Sequence, residues 1–170
     1  TIIAHEKIVS KRHTRAKDWA RFGYYAQDNA RVKAEKAEVK VVFYGNSITR
    51  NWGKYRPQFF KENNYLCRGI GGQTSAELLV RMRQDVINLN PKAVVIMVGT
   101  NDIAQNRGTI SLENVMGNIQ SMCEIAKVNK IKPVICSVLP VKKYHWRPEV
   151  TDCADRIIRL NSMLEEYARE

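Results

Sequence analysis

Short apolar runs alternate with amphipathic segments along most of this chain. Four of the runs predict strands, at residues 39–44, 65–68, 93–98 and 133–139. The run at 93–98 is apolar at every position, which is typical of a strand buried on both faces of a parallel sheet. The segments between the runs have helical spacing. This alternation predicts an α/β fold, a three-layer α/β/α sandwich with a parallel sheet in its middle.

The helical segments carry start signals and one apolar stripe each. Thr74 and Glu77 have the spacing of a capping box, and Ser111 can cap the next helix. Apolar residues recur at helical spacing behind these caps, so each stripe is expected to face the sheet. The predicted inward positions are Leu78, Met82 and Val86; Leu112, Val115, Ile119, Met122 and either Ile125 or Ala126; and Ile157, Leu160, Leu164 and Tyr167.

The length of the chain predicts one domain preceded by an arm. An N-terminal helical arm is expected over residues 1–38, packed on a domain over residues 39–170. The pattern ends on a helix, and a strand after Glu170 would complete it, so the domain is expected to be truncated at its C-terminus. The arm is expected to dock through an apolar stripe formed by Trp19, Phe22, Tyr24 and Tyr25.

The net charge of +11 bears on possible partners, and basic residues cluster between Lys7 and Arg21. A basic face suits an anionic glycan, a membrane surface or nucleic acid, but a solvated surface is the more common explanation of such charge. No nucleic-acid-binding motif accompanies the charge, so nucleic acid is not an expected partner. A steep salt dependence of DNA or RNA binding would be the sign of such a partner.

Membrane insertion and metal or thiol chemistry are also not expected. No apolar stretch is long enough to span a bilayer. The cysteines lack the spacing of a zinc or redox motif. They are Cys67, Cys123, Cys136 and Cys153. The sequence leaves the oligomeric state open.

The first candidate for chemistry follows the first strand, in the run Gly45-Asn46-Ser47. Sites in open parallel sheets form at the carboxyl ends of the strands, so a serine in this turn could act as a nucleophile. Taken alone, this residue is more often an ordinary turn serine. The nucleophile elbow of the α/β-hydrolases needs a glycine two residues after the serine, and Thr49 occupies that place.

Two further turns follow the next two strands. The glycine-rich turn at residues 69–74 fails the dinucleotide fingerprint because Thr74 replaces its third glycine. Its backbone N–H groups could face an anion, or the turn could be purely structural. In the turn at residues 99–102, Asn101 could donate a hydrogen bond into the crevice. Asp102 could cap the next segment or orient Asn101, and an Asx-turn is the alternative.

The three turns together are more specific than each turn alone, because a nucleophilic serine, a glycine N–H and an asparagine amide would meet at one edge of the sheet. A tetrahedral intermediate of acyl transfer needs an attacking oxygen and donors for its oxyanion. The order and spacing of the three blocks over residues 39–140 resemble the SGNH (GDSL-like) hydrolase superfamily. The resemblance implies a flavodoxin-like SGNH hydrolase fold.

The resemblance also implies roles for individual residues. Ser47 corresponds to the nucleophile, and the oxyanion donors correspond to the N–H of Ser47, the N–H of Gly72 and the amide of Asn101. Asn46 stands where the family usually has aspartate, and it is expected to support the turn. Asp102 is expected to support the site.

The Asp-x-x-His block that supplies the family's base is absent from residues 1–170. The catalytic histidine and aspartate are therefore expected beyond Glu170. His145 follows the fourth predicted strand and could be a substitute base or a residue of the rim. Its neighbour Trp146 could stack on a sugar ring or anchor the loop.

The resemblance implies a serine ester hydrolase that cleaves small acyl esters, with acetyl groups on carbohydrate as the expected substrates. No metal or organic cofactor is expected. The alternative is a non-catalytic carbohydrate-binding module on the same fold. Analogy with glycan esterases favours secretion or the periplasm, with the cytoplasm left open.

Overall fold

The computed structural model describes residues 18–170, and over this range the predicted α/β sandwich is confirmed. Its sheet has four parallel strands: Val41–Gly45 (β1), Tyr65–Gly69 (β2), Ala93–Met97 (β3) and Lys132–Ile135 (β4). The helices are Ala26–Ala34 (α1), Ser47–Tyr55 (α2), Pro57–Glu62 (α3), Ser75–Asp85 (α4), Thr100–Ile103 (α5), Leu112–Val128 (α6) and Cys153–Arg169 (α7). Two short 3₁₀ turns, Phe22–Tyr24 and Ile87–Leu89, precede α1 and follow α4.

The spatial order of the strands is β2-β1-β3-β4. From β1 the chain steps to β2 on one side and then crosses to β3 on the other side. The connections after β1 and β3 therefore diverge, which opens a crevice outside the carboxyl ends of these strands. All three candidate turns from the sequence lie at this edge of the sheet.

Alternate residues of β1 face the two helical layers, as strand geometry requires. Val42 and Tyr44 are fully buried, and the Tyr44 hydroxyl donates to Leu78 O in α4 at 2.5 Å. The predicted inward residues of α4, α6 and α7 join this core, with Ala126 buried and Ile125 and Tyr167 partly buried. Phe43 faces the opposite layer, where it contacts aromatic rings of α2, α3 and β2. These rings belong to Trp52, Phe59, Phe60 and Tyr65.

The fourth strand is shorter than its apolar run predicts. It ends at Ile135, whereas the prediction extended it to Leu139. Its partner β3 ends at Met97, and Cys136 N donates to Ile96 O at 2.9 Å just after the last paired residue of β4. The side chain of Asn161 in α7 bonds to both backbone groups of Val138: it accepts from Val138 N at 2.8 Å and donates to Val138 O at 3.0 Å.

The N-terminal arm differs from its prediction. Over its described part it is a 3₁₀ turn followed by α1, not one continuous helix. Trp19, Phe22 and Tyr24 are exposed, so the expectation that an apolar stripe docks the arm is wrong for these three residues. The basic residues from Lys7 to Lys17, like His5 and His13, lie outside the described residues.

Polar contacts dock the arm instead. The Tyr25 hydroxyl donates to Gly69 O at 2.6 Å, at the end of β2. Asn29 Nδ2 donates to Asp85 Oδ1 at 2.6 Å, and Asn29 Oδ1 accepts from Arg68 Nε at 2.9 Å. Buried polar groups need hydrogen-bond partners. The arm supplies such partners to Arg68 near the end of β2 and to Asp85 at the end of α4.

No helix within residues 18–170 is both long and apolar enough to cross a bilayer.

Candidate active site

Ser47 is the first residue of α2, directly after β1. Asn46 is the N-cap of this helix, and its side-chain oxygen accepts from Ile48 N at 2.9 Å. Asn46 is buried and Ser47 is half-buried, so the capping side chain lies inside the protein and Ser47 is partly accessible to solvent. The start of α2 lies so close to the end of β2 that a Cβ on Gly69 would sit 2.3 Å from Arg50 N.

The glycine-rich turn after β2 lies beside this helix start. Ile70 N donates to Gly45 O at 3.0 Å, which ties the turn to the end of β1. Gly72 has a φ of 79°, in the region that side chains disfavour. The turn leads into α4 through the predicted capping box, in which the Thr74 N–H donates to Glu77 Oε2 at 2.9 Å.

Asn101 lies in α5, after β3, and its side chain reaches the glycine-rich turn. Its Nδ2 donates to Gln73 O at 2.8 Å. Its Oδ1 accepts from Asn106 Nδ2 at 2.9 Å, and Asn106 Nδ2 also lies 3.4 Å from Gly72 O. Asn106 therefore fixes which way the Asn101 amide points, and the second N–H of Asn101 Nδ2 has no acceptor among the described residues.

Asp102, which the sequence analysis expected to support the site, holds the same turn from its other side through Ser75. Both its carboxylate oxygens lie 3.0 Å from Ser75 N, and the Ser75 hydroxyl donates to Oδ1 at 2.6 Å. Burial raises the pKa of Asp102 to about 6, while the hydrogen bonds from Ser75 oppose that rise. The second and third turns are thus joined by two adjacent residues, Asn101 and Asp102.

Arg81 is the main structural residue of the site that the sequence analysis missed. Its side chain is fully buried beneath the glycine-rich turn. Nε donates to Gln73 Oε1 at 2.6 Å and Nη1 to Asp85 Oδ2 at 2.6 Å. Nη2 donates to Arg68 O at 2.8 Å, near the end of β2. The signal in the sequence was its spacing, three residues after Leu78 and therefore on the inward face of α4.

Gln73 extends this network to the N-terminal arm. Its Nε2 donates to Ala20 O at 2.8 Å, while its Oε1 accepts from Arg81. Gln73 is buried, and both ends of its amide are occupied. The side chain of this turn residue therefore locks the turn between α4 and the arm.

The loop after β4 forms the outer rim. Trp146 is 45% exposed, and its indole Nε1 donates to Asn106 Oδ1 at 3.2 Å. Arg147 Nη2 donates to Gln105 O at 2.8 Å, which adds a second tie to the segment after α5. His145 is exposed, with its ring 4.8 Å from that of Trp146. Trp146 is thus linked through Asn106 to Asn101.

The part of the chain that the structure describes offers no side chain hydrogen-bonded to Ser47 Oγ, and His145 is among those without such a bond. The structure therefore brings together a serine at a helix start, the Gly72 turn and the Asn101 amide, but no base on the serine. These groups suit an acyl-transfer site with a nucleophile and oxyanion donors.

The model of the GDSL-like lipase/acylhydrolase family matches residues 43–170. The chain belongs to this family.

Curated relatives cover only part of this family member. The uncharacterized lipoprotein YqeF of Bacillus subtilis is 33% identical over 119 residues, which are 59% of this chain and 49% of YqeF. Platelet-activating factor acetylhydrolase IB subunit alpha2 of Homo sapiens is 28% identical over 108 residues, which are 61% of this chain and 45% of that subunit. The chain thus spans about half the length of these relatives.

Two solved structures are more similar to this chain in sequence, and a third shares its fold. A GDSL-like lipase from Bacteroides thetaiotaomicron is 49% identical with a TM-score of 0.82, over 88% of this chain and 74% of that one. A candidate acylhydrolase from Bacteroides fragilis is 46% identical with a TM-score of 0.85, over 89% and 74%. An acetylxylan esterase from Geobacillus stearothermophilus, 19% identical with a TM-score of 0.60 over 78% of this chain and 74% of that one, shares the fold.

The raised pKa of Asp102 predicts a pH-dependent stability. The folded pKa of about 6 lies above the ordinary value of 3.8, so between these values the folded state binds more protons than the unfolded state. The contribution of Asp102 to stability therefore falls as the pH rises through this window, by about 3 kcal/mol in total. Asp102→Asn removes this titration.

Urea unfolding of both proteins between about pH 3.5 and pH 7 measures this contribution. The free energy of unfolding of the wild type minus that of Asp102→Asn is expected to decrease across the range. A difference that stays constant, or that increases, would contradict the prediction.

Proposed function

We propose that this protein is a serine ester hydrolase in which Ser47 forms an acyl-enzyme. The observation that carries the proposal is the convergence of Ser47, the Gly72 turn and the Asn101 amide at the carboxyl edge of β1, β2 and β3. The joining contact is the 2.8 Å hydrogen bond from Asn101 to Gln73 O. Membership of a family of lipases and acylhydrolases supports the same chemistry.

In the proposed mechanism, Ser47 Oγ attacks the ester carbonyl while its proton passes to a histidine base. The carbonyl oxygen becomes an oxyanion, which accepts hydrogen bonds from the N–H groups of Ser47 and Gly72 and from the Asn101 amide. The C–O bond to the alcohol then breaks, and the alcohol takes the proton from the base. Water attacks the acyl-enzyme in the same way and releases the acid.

The base in this proposal is a histidine oriented by an aspartate, as in the catalytic triad of other serine hydrolases. His145 is the alternative base within the described residues, although it is exposed and packs against Trp146. Neither the oxyanion donors nor Ser47 requires a metal or an organic cofactor in this mechanism.

For the substrate, we propose a small acyl ester, with acetyl groups on carbohydrate as the preferred class. Trp146 supports this choice, because its exposed indole is held at the rim by Asn106 and can stack on a sugar ring. The matching acetylhydrolase subunit is named for removal of an acetyl group. We further propose export from the cytoplasm, for which the lipoprotein YqeF is the supporting relative.

Ser47→Ala is expected to lower kcat/KM for p-nitrophenyl acetate by about three orders of magnitude or more, since the nucleophile is lost. The whole gene product is assayed, and a fluorophosphonate probe identifies the modified residue by mass spectrometry. The probe is expected to label Ser47 in the wild type.

Ser162→Ala is the control, because Ser162 is an exposed serine of α7 whose hydroxyl donates to Ile158 O. It is expected to retain wild-type activity. Hydrolysis that survives Ser47→Ala would contradict the proposal. A wild-type protein that hydrolyses no ester and escapes the probe would favour the non-catalytic carbohydrate-binding module instead.

Asn101→Ala is expected to lower kcat by about 10² to 10³ and to change KM by less than about threefold, because the amide bonds to the oxyanion mainly in the transition state. Steady-state kinetics with p-nitrophenyl acetate measure both constants. Circular dichroism checks that the variant is folded. A raised KM with an unchanged kcat would make Asn101 a substrate-binding residue only.

A further inference from the structure

We propose that Arg50 forms an anion-binding subsite beside Ser47, so that the preferred ester substrate carries a carboxylate or a phosphate. The inference rests on the proposed function of Ser47 and names the class of substrate. It follows from the position of Arg50 on α2, from its contact with the glycine-rich turn and from the absence of an acidic partner for it within residues 18–170.

Arg50 lies one helical turn after Ser47. Residues three apart on a helix have their Cβ atoms about 5–6 Å from each other, on the same face. Arg50 is half-buried, and its N–H donates to Asn46 O at 3.0 Å within the first turn of α2. Ser47 and Arg50 therefore project from the same face of one helix.

The guanidinium lies against the glycine-rich turn. A Cβ built on Gly71 would sit 2.5 Å from Nη1 of Arg50 and 3.1 Å from its Cζ. Gly71 thus leaves the space that Nη1 occupies, next to the proposed oxyanion donor Gly72. The positive charge lies between the helix that carries the nucleophile and the turn that carries the donors.

Arg50 has no carboxylate partner among the described residues. Its side-chain hydrogen bonds in the described part of the chain go to Asn51 Oδ1, at 3.4 Å from Nε and 3.2 Å from Nη2. By contrast, the buried Arg68 and Arg81 both form ion pairs with carboxylates, at 2.8 Å and 2.6 Å. The N–H groups on Nη1 of Arg50 have no acceptor among the described residues.

An oxyanion ligand would supply the missing acceptors. A guanidinium binds carboxylate and phosphate groups through two parallel hydrogen bonds, and such charge-assisted bonds are stronger than neutral ones. The net charge of +11 would also draw anionic substrates toward the protein. The two ligand groups share this chemistry, so the test includes one ester of each.

The test compares 4-acetoxybenzoate and 4-acetoxyphenyl phosphate with the neutral methyl 4-acetoxybenzoate, using the whole gene product. Arg50→Gln is expected to lower the ratio of kcat/KM for at least one anionic ester to that for the neutral ester by at least about tenfold. Arg50→Lys is expected to retain part of the preference. The anionic ester whose ratio falls further identifies the carboxylate or the phosphate as the natural group.

Gly71→Ala provides a second variant that keeps the charge. Its Cβ would displace the flexible end of Arg50, so the same ratio is expected to fall while Arg50 remains in the protein. Arg56→Gln is the matched control: it removes an equal charge at the C-cap of α2, about 13 Å from Ser47 along the helix axis. This control is expected to leave the ratio unchanged.

Equal losses for anionic and neutral esters, or no loss for either, would overturn the subsite and leave Ser47 as the nucleophile. If the wild type hydrolyses none of the three esters, the proposed function fails. A binding measurement then tests whether the anionic subsite exists. NMR titration of the Ser47→Ala protein with 4-acetoxybenzoate and with 4-acetoxyphenyl phosphate is expected to shift the Gly71 and Gly72 amides. The proposed subsite would be overturned if neither ester shifts these amides. It would also be overturned if the shifts persist in the protein that carries both Ser47→Ala and Arg50→Gln.

Discussion

The candidate site depends on one buried cation, the guanidinium of Arg81. It lies 4.4 Å from the centre of the Tyr44 ring and contacts the turn, the end of β2 and Asp85 at once. A buried ion pair of this kind does not by itself make a protein more stable than an apolar core would. Removing one partner, however, leaves the other charge buried and unpaired, which costs about 3–5 kcal/mol. The arrangement therefore specifies one position for the glycine-rich turn.

Two layers of contacts spread outward from Arg81. Through Gln73 and Asp85 it reaches Ala20 and Asn29, so the N-terminal arm belongs to the support of the site. Asn101 and Asp102 hold the opposite side of the same turn from the end of β3. Oxyanion donors are effective when they are preorganised, and a turn fixed on both sides meets that condition.

Local sequence patterns were enough to predict the strands, the capping box at Thr74 and the inward stripes of α4, α6 and α7. Hydrophobic periodicity gave the strands and stripes, and the spacing of Thr74 and Glu77 gave the cap. The three turns could likewise be found from local patterns. The contacts among them could not, since Asn101 to Gln73 and Asn106 to Trp146 join residues far apart in the chain. The spacing of Arg81 placed it on the inward face of α4, but no local pattern identified the partners of its guanidinium. The fourth apolar run gave no sign that β4 would end at Ile135.

Amide hydrogen exchange in Arg81→Lys tests the role of this guanidinium most directly. Lysine keeps the charge but cannot reach Gln73, Asp85 and Arg68 O together. The amides of Ile70 and Gln73 are expected to exchange at least about tenfold faster, while Cys136, which donates to Ile96 O at the far side of the sheet, is unchanged. Unchanged protection at Ile70 and Gln73, or equal acceleration at all three amides, would contradict the dependence of the turn on Arg81.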